Sequence, residues 1–327
     1  MTGLVKEDPR PTHAPAAPPS EDPSPAATDG DATLRDRHAA VRARIDAAAR
    51  ACGRLPGDVA LLAVSKTFDA DTVLALAATG QRAFGENYLQ EALPKVAAVR
   101  DRWALRASGR SGAAREGSPE GASAGPSRHT DPATAGPSWH TDPATAGPSW
   151  HTDPATAGPS RHTDPATAGP SWNFIGPIQS NKTKAIAEAF DWVHSVDREK
   201  VARRLSEQRP AVLAPLQVCV QVDVSGEATK SGCDPSEAVA LGAAIAAMPR
   251  LRLRGVLAIP APPDDPAAQR AQFARVRAVF DAMRAAGLPV DTLSMGMSGD
   301  LEAAIAEGAT IVRVGTALFG ARPGKAA

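Results

Sequence analysis

The sequence has few cysteines, few lysines and no excess of either charge. The balanced charge and the small number of cysteines each exclude a class of partner or site. Its 36 basic and 36 acidic residues balance, so no field of one sign predicts nucleic acid or an anionic membrane as a partner. No apolar run approaches the roughly 20 residues that span a bilayer, and the N-terminus lacks the basic-then-apolar pattern of a secretion signal. Cys52, Cys219 and Cys233 show no CxxC spacing, which favours free thiols in a reducing cytoplasm over a disulfide framework or a zinc site.

Lysine is scarce enough for its positions to be informative. Only eight of the 36 basic residues are lysines, and the rest are arginines. An arginine cannot form an imine and is effectively never neutral. A buried lysine in this chain is therefore a candidate for amine chemistry.

Two segments lack the apolar residues that a folded core needs. Residues 1–32 are rich in Pro, Ala, Ser, Asp and Glu, and this composition predicts a disordered tail. Residues 107–171 form a low-complexity insertion in which the unit GPS(R/W)HTDPATA occurs four times from Gly125, before a fifth GPSW begins at Gly169. The unit has no apolar face that could stack as a solenoid. We interpret it as a duplicated linker.

The repeats also place histidines at regular intervals, which raises the alternative of metal or partner binding. A flexible chain does not preorganise such ligands, and no carboxylate is fixed beside them. We therefore predict no metal site. The histidines concerned are His129, His140, His151 and His162.

The remaining residues, 33–106 plus 172–322, alternate strand and helix patterns, which predicts a parallel sheet. The eight strand-like runs are Val59–Val64, Arg82–Gly85, Trp172–Ile175, Trp192–Ser195, Leu216–Val224, Leu253–Ile259, Thr292–Met295 and Ile311–Val314. Eight repeats in this length favour an α/β fold with one closed (β/α)8 TIM barrel. No GxGxxG follows the first strand, so a dinucleotide site is not indicated.

Lys66 follows the apolar run ALLAVS at the predicted end of the first strand. Active sites of such barrels lie at this end of the strands. Schiff-base chemistry needs a neutral amine, and an apolar environment lowers the pKa of an ammonium group by desolvation. The alternative is a solvated loop lysine.

The loops after the seventh and eighth strands carry a second signal. The segment SMGMSGDLEAAI places Ser298 as a helix N-cap, and RVGTALFG places Gly315 and Thr316 after the eighth strand. In this fold these two loops commonly hold a phosphate. Helix capping by Ser298 and tight turns at the glycines are the structural alternatives, and both can hold together with anion binding. A lysine facing a phosphate site across the barrel mouth matches the length of pyridoxal 5′-phosphate (PLP).

Eight ordered motifs assemble into one known pattern: AVSKT, FGENYLQEA, FIGPIQSNK, HSVDR, VDVSGEATKSG, RGVLAIP, SMGMSGDLEAAI and VRVGTALFGAR. Together they resemble the pyridoxal phosphate homeostasis protein family, whose members look like the barrel domain of alanine racemase standing alone. The resemblance covers nearly all of residues 33–322 except the insertion.

The resemblance implies a role for individual residues. Lys66 would form the Schiff base with PLP, and Arg313 would face the pyridine nitrogen and keep it unprotonated. The phosphate would be held by Ser298, Gly299, Gly315 and Thr316. The ring would be lined by Asn87, with Met295 or Met297 nearby. Lys230 is a candidate secondary lysine, and Asn181 and Lys182 could contact a partner or guard the mouth, although a helix N-terminus explains them equally well.

The resemblance favours a PLP carrier over a catalyst. Alanine racemase uses a second base, a tyrosine from a separate domain, and we expect no such domain here; the one tyrosine, Tyr88, is a poor substitute. We therefore expect a cytoplasmic monomer that buffers PLP or delivers it to apo-enzymes. The alternatives are a small PLP-dependent amino-acid racemase, and an interaction platform built on the tail and the repeats.

Overall fold

The computed structural model describes residues 33–113, 169–225, 231–260 and 265–320. The predicted tail, most of the predicted insertion with its four histidines, and Lys230 lie outside these ranges. The insertion begins later than expected, because helix α3 (Leu89–Ala113) continues past residue 107. It also ends earlier, because Ser171 already belongs to strand β3 (Ser171–Phe174).

The predicted (β/α)8 barrel is confirmed. Parallel strands β1 to β8 close in sequence order, and Ala60 of β1 pairs with Ile311 of β8. The other strands are β1 (Ala60–Val64), β2 (Ala83–Glu86), β4 (Trp192–Val196), β5 (Leu216–Gln221), β6 (Leu251–Leu257), β7 (Thr292–Ser294) and β8 (Ile311–Val314). The fifth strand is shorter than predicted, because Val222 leaves the ladder and bridges to Cys233.

Helices surround the strands. They are α1 (Leu34–Ala51), α2 (Ala70–Ala78), α3, α4 (Thr183–Ala189), α5 (Glu199–Gln208), α6 (Ala238–Ala246), α7 (Pro266–Ala285), α8 (Leu301–Ala306) and α9 (Thr316–Phe319). Their starts follow local chemistry: the Asp69 side chain accepts from the Thr72 amide at 2.8 Å to cap α2. Asp265 caps α7 in the same way, with Pro266 in the first turn. No helix in the described ranges is both long and apolar enough to cross a bilayer.

The core has an outer and an inner part. The main apolar cluster includes Leu61 and Ala63 of β1 together with residues of the surrounding helices. Leu62 and Val64, on the opposite face of the same strand, form a separate cluster with Ile175. They therefore face the barrel lumen. A Cβ on Gly85 of β2 would lie 3.3 Å from Leu62, so the lumen is already filled at this level.

The chain leaves the described barrel near Ala113 and re-enters it at Gly169. Gly169 lies against the Trp103 ring of α3, and a Cβ on this glycine would lie 3.3 Å from Cδ1 of the ring. The guanidinium of Arg82 stacks on the same ring at 5.1 Å. The chain thus re-enters the barrel at a position packed against α3, where strand β3 begins, at the end of the barrel opposite the predicted site.

Candidate PLP site at the barrel mouth

The predicted site residues come from loops that follow four strands. Lys66 follows β1, Asn87 follows β2, Ser298 and Gly299 follow β7, and Gly315 and Thr316 follow β8. Because the strands are parallel, these loops share one end of the barrel. Strands β8 and β1 are neighbours, and a Cβ on Gly315 would lie 3.4 Å from the Val64 carbonyl oxygen. The loop with the lysine and the loop with Thr316 therefore meet.

Lys66 lies in a tight turn and is partly exposed. The turn is closed by a hydrogen bond from the Phe68 amide to the Ser65 carbonyl, at 3.2 Å. Thr67 has a φ of 68°, in the left-handed region that a β-branched residue rarely adopts. Strained backbone of this kind costs on the order of 1–3 kcal/mol and is concentrated at functional sites. The surrounding structure therefore holds the turn that carries Lys66 in this conformation.

A second lysine supports this turn from behind, and the sequence interpretation missed it. Lys95 of α3 is 8% exposed, and its Nζ donates to the Ser65 carbonyl and to Glu86 Oε1, both at 2.8 Å. The Ser65 hydroxyl donates to the same Glu86 oxygen at 2.6 Å. Lys95 is therefore engaged on the helix side of the barrel wall, whereas Lys66 lies at the mouth. The scarcity of lysine in the sequence pointed to Lys95 as much as to Lys66.

Asn87 lies where the loops after β2 and β3 touch. A Cβ on Gly176 would lie 2.1 Å from the Asn87 carbonyl oxygen, so only glycine permits this approach. The side-chain oxygen Oδ1 of Asn87 is buried and accepts no hydrogen bond from any described residue. A buried polar atom without a hydrogen-bond partner costs free energy, so Oδ1 marks a position where a bound ligand could donate a hydrogen bond. Tyr88, the next residue, is 53% exposed.

The loop after β7 differs from the prediction, because Ser298 is not the N-cap of the next helix. Asp300 is the cap residue, and its carboxylate accepts a short hydrogen bond from the Met297 amide. Helix α8 begins at Leu301. Ser298 stays partly exposed and Gly299 is exposed, so this loop is accessible from solvent.

An arginine that the motifs did not indicate ties this loop to the first helix. Arg44 of α1 donates to the Ser298 carbonyl at 3.2 Å and to both carboxylate oxygens of Glu302 at 2.9 and 3.0 Å. The sequence carries no signal for this contact, because 254 residues separate Arg44 from Ser298.

The expectation for Met295 is also wrong. Its side chain is fully buried in the main apolar cluster, on the helix side of the strands. The adjacent Ser294 points into the lumen, where its hydroxyl contacts His194 at 3.0 Å, so Met295 points the other way. Met297 is partly exposed and remains the methionine at the mouth.

The loop after β8 leads directly into a short helix. Gly315 is the N-cap of α9 and Thr316 its first residue, and Thr316 is exposed. The first amides of a helix have no acceptor within it. Together with Ser298 and Gly299 they could hold an anion.

Arg313 of β8 places a cation inside the barrel, where it is 3% exposed. Its Nη1 donates to the Ser294 carbonyl at 2.5 Å and hydroxyl at 3.1 Å, and Nη2 donates to the Ala258 carbonyl at 2.9 Å. Burial lowers the pKa of Arg313 to about 10, and the negative charge of Asp300 opposes part of that shift. The guanidinium therefore stays charged at neutral pH.

Two predicted partner-facing residues lie on the loop after β3. Asn181 is exposed, and Lys182 is the N-cap of α4 without a side-chain capping bond. The residues at this position thus face solvent beside the mouth, which is compatible with partner contact and with a plain helix start alike.

Comparison with known proteins agrees with this architecture. A family model described as the alanine racemase N-terminal domain matches residues 37–323. The pyridoxal phosphate homeostasis protein of Pseudomonas aeruginosa is 47% identical over 290 residues, which are 89% of this chain and 96% of that protein. The Escherichia coli protein of the same name is 39% identical over 284 residues, covering 87% and 94%.

Solved structures add a relative with a bound cofactor. PipY of Synechococcus elongatus, with PLP bound, has a TM-score of 0.61 and 28% sequence identity. The match covers 88% of this chain and all of that chain (100%).

Proposed function

The chain belongs to the pyridoxal phosphate homeostasis protein family, and we propose that it holds PLP as a Schiff base on Lys66 in order to buffer or deliver the cofactor. The observation that carries this proposal is the meeting of the Lys66 turn with the Gly315 loop at one barrel mouth. A lysine and a set of anion-binding groups then lie at the same end of the barrel. The family relatives named for PLP homeostasis and the PLP-bound PipY support the assignment.

The residues present fit this cofactor. The residues Ser298, Gly299, Gly315 and Thr316 are all at least partly exposed, and their amides and hydroxyls suit a phosphate, which prefers such groups at helix starts. The buried Asn87 Oδ1 accepts no hydrogen bond within the described ranges, and a bound group could supply a donor. Arg313 places a cation towards the ring nitrogen, and a guanidinium does not readily give up its proton. When bound, PLP supplies a reactive aldehyde, and the protein groups orient it and hold it covalently but reversibly.

We propose a carrier that does not turn over a substrate. Racemisation needs a second base opposite the lysine, and Tyr88 is the only tyrosine in the sequence. Tyr88 is 53% exposed, so the described barrel buries only about half of it. The alternative, a small PLP-dependent amino-acid racemase, predicts interconversion of D- and L-alanine that is lost in Lys66→Ala.

We further propose a cytoplasmic monomer that passes PLP to apo-enzymes. The barrel is one domain formed by residues on both sides of the insertion, so the insertion should be dispensable. A deletion variant replaces residues 114–168 with a flexible Gly/Ser linker of roughly ten residues, which can span the distance from the described end of α3 back to Gly169. If the deletion keeps PLP uptake and transfer, the platform hypothesis fails; loss of transfer with intact uptake supports it.

The test is a visible absorbance spectrum of purified protein with added PLP, before and after borohydride. We expect a band that borohydride traps on Lys66, identified by mass spectrometry, and its loss in Lys66→Ala. Lys184→Ala, at an exposed lysine on α4, is the matched control and should behave as wild type. A wild-type protein that takes up no PLP would overturn the proposal.

A further inference from the structure

A chain of polar side chains crosses the interior of the barrel behind the proposed site. Asn173 of β3, His194 of β4, Ser294 of β7 and Arg313 of β8 are each at most 3% exposed. Interiors of such barrels are normally filled by branched apolar residues. The contact between His194 and Ser294 joins strands that are three apart round the barrel, so it spans the lumen.

The direction of each hydrogen bond in this chain can be assigned from its ends. The Asn173 amide group donates to the Phe84 carbonyl at 3.2 Å, so Asn173 Oδ1 is the acceptor that faces His194 Nε2 at 3.0 Å. Nε2 therefore carries the proton, and Nδ1 is an acceptor. The Ser294 hydroxyl, 3.0 Å from Nδ1, must donate to it. Its oxygen then accepts from Arg313 Nη1 at 3.1 Å.

All donors in the chain thus follow one direction, set by its two ends. Flipping the Asn173 amide would set its oxygen against the carbonyl oxygens of Phe84 and Ser171 with no proton between them, which disfavours the reverse direction. Hydrogen bonds that run in one direction polarise and strengthen one another. The Ser294 hydroxyl accepts from a buried cation, Arg313, whose contacts with Ser294 and the Ala258 carbonyl are all to neutral oxygens.

The protonation state of His194 determines whether the Ser294 hydroxyl can accept a hydrogen bond from Arg313. A neutral imidazole with a free Nδ1 takes the Ser294 proton and leaves the oxygen lone pair towards Arg313. An imidazolium would donate from both nitrogens and would place a second positive charge beside the guanidinium. Burial and the charge of Arg313 lower the pKa of His194 to about 3, in agreement with the neutral form.

We infer that His194 is a positioning residue for Arg313: through Ser294 it fixes the guanidinium in the orientation that meets the bound cofactor. The inference rests on the proposed function for its link to PLP. The hydrogen-bonded series from Arg313 through Ser294 and His194 to Asn173, called the relay below, is a property of the unliganded protein. Asn173 completes it by holding the imidazole in its Nε2–H form.

The first test uses the protein without cofactor. Long-range ¹H–¹⁵N NMR of histidine-labelled protein, with the His194 signal assigned through His194→Gln, should show a neutral Nε2–H tautomer at neutral pH. The arginine Nε–H signal that Arg313→Lys removes should be slow to exchange in wild type and broadened in His194→Phe. A protonated or Nδ1–H imidazole would overturn the relay, whatever the protein does with PLP.

The second test measures PLP binding and its spectrum. His194→Phe and Ser294→Ala should weaken PLP binding by about tenfold or more, since a buried hydrogen bond is lost. Both should also shift the absorption of bound PLP in the direction that Arg313→Lys shifts it. His194→Gln keeps an acceptor and a donor, so it should retain most of the affinity and the wild-type spectrum. His38→Phe, at a histidine that contacts Thr79 outside the barrel, is the control.

The outcomes separate the two proposals. If wild type takes up no PLP, the proposed function fails while the NMR result still decides the relay. If wild type binds PLP and folded His194→Phe binds it equally well with the same spectrum, the inference is wrong. If His194→Phe does not fold, Ser294→Ala removes a single hydroxyl and decides the question with the same readouts.

Discussion

Lys95 and Glu86 form a buried ion pair directly behind the Lys66 turn, with 2.8 Å between Nζ and Oε1. Their side chains are 7% and 0% exposed. The second carboxylate oxygen, Oε2, is buried and accepts no hydrogen bond from the described residues. The pair therefore supports the Ser65 carbonyl at the expense of burying two charges, and substitution of one residue would leave the other without its counter-charge.

We predict that Lys95→Met lowers the free energy of unfolding by about 3–5 kcal/mol, because the Glu86 carboxylate is left buried and unpaired. The double variant Lys95→Met with Glu86→Gln should recover at least half of this loss. Urea unfolding at neutral pH measures both. Lys184→Met breaks an exposed pair with Glu188 and should change the unfolding free energy by less than about 1 kcal/mol. A Lys95→Met variant as stable as this control would contradict the prediction.

A methyl group at position 176, in the loop after strand β3, should disturb the site. In Gly176→Ala the new Cβ would lie 2.1 Å from the Asn87 carbonyl oxygen, which is backbone and cannot rotate away. We expect a loss of about 1–3 kcal/mol in stability from overpacking, together with weaker PLP binding because Asn87 is displaced. Thermal unfolding and PLP titration report the two effects. Gly57→Ala, where no atom lies within 4 Å, should leave both unchanged.

Acid should destabilise the protein partly through His194. Its pKa is lowered from 6.5 to about 3, mainly by burial, so the unfolded chain binds a proton that the folded chain refuses between these values. Stability is therefore complete above about pH 6.5 and falls towards pH 3, by up to about 1.4 kcal/mol per pH unit. Between pH 7 and pH 5, wild type should lose about 2 kcal/mol more than His194→Gln in urea unfolding. Parallel losses would show that His194 is protonated in the folded protein.

The cysteines should differ sharply in reactivity. Burial raises the pKa of Cys219 and of Cys233 to about 12, so both thiols stay protonated and enclosed at neutral pH. Cys52 is exposed after the first helix. Iodoacetamide should therefore modify Cys52 alone in the native protein and all three cysteines after unfolding, as mass spectrometry can count. Rapid native modification of Cys219 would show that the barrel interior opens to solvent.

The fold was predictable because its signals are local. Apolar runs such as Ile311–Val314 mark buried strands, and this run matches the observed strand β8 residue for residue. The short helix α9 was not predicted, because four residues carry too little periodicity to be recognised. The continuation of α3 into the predicted insertion was missed because its composition there resembles a linker.

The candidate site was predictable only where a residue lies on a motif at a strand end, as Lys66 and Gly315 do. Ser298 was misassigned as a cap because Asp300, two residues later, competes for that role and lies closer to the first turn. Glu86 and Arg44 could not be found, since their roles depend on contacts between distant parts of the chain, and Lys95 carried only the general signal of a scarce lysine. His194 gave a weak signal, a polar ring beside Ser195 in a strand that is otherwise apolar.

The packing of Gly169 against the barrel bears on how the repeats before it can change over generations. Gly169 lies against Trp103 at the end of the barrel remote from Lys66 and Gly315, however many GPS(R/W)HTDPATA units precede it. Gain or loss of whole units by slippage during replication would therefore leave the cofactor site untouched. Natural strains should accordingly differ in repeat number while Trp103 and Gly169 stay the same.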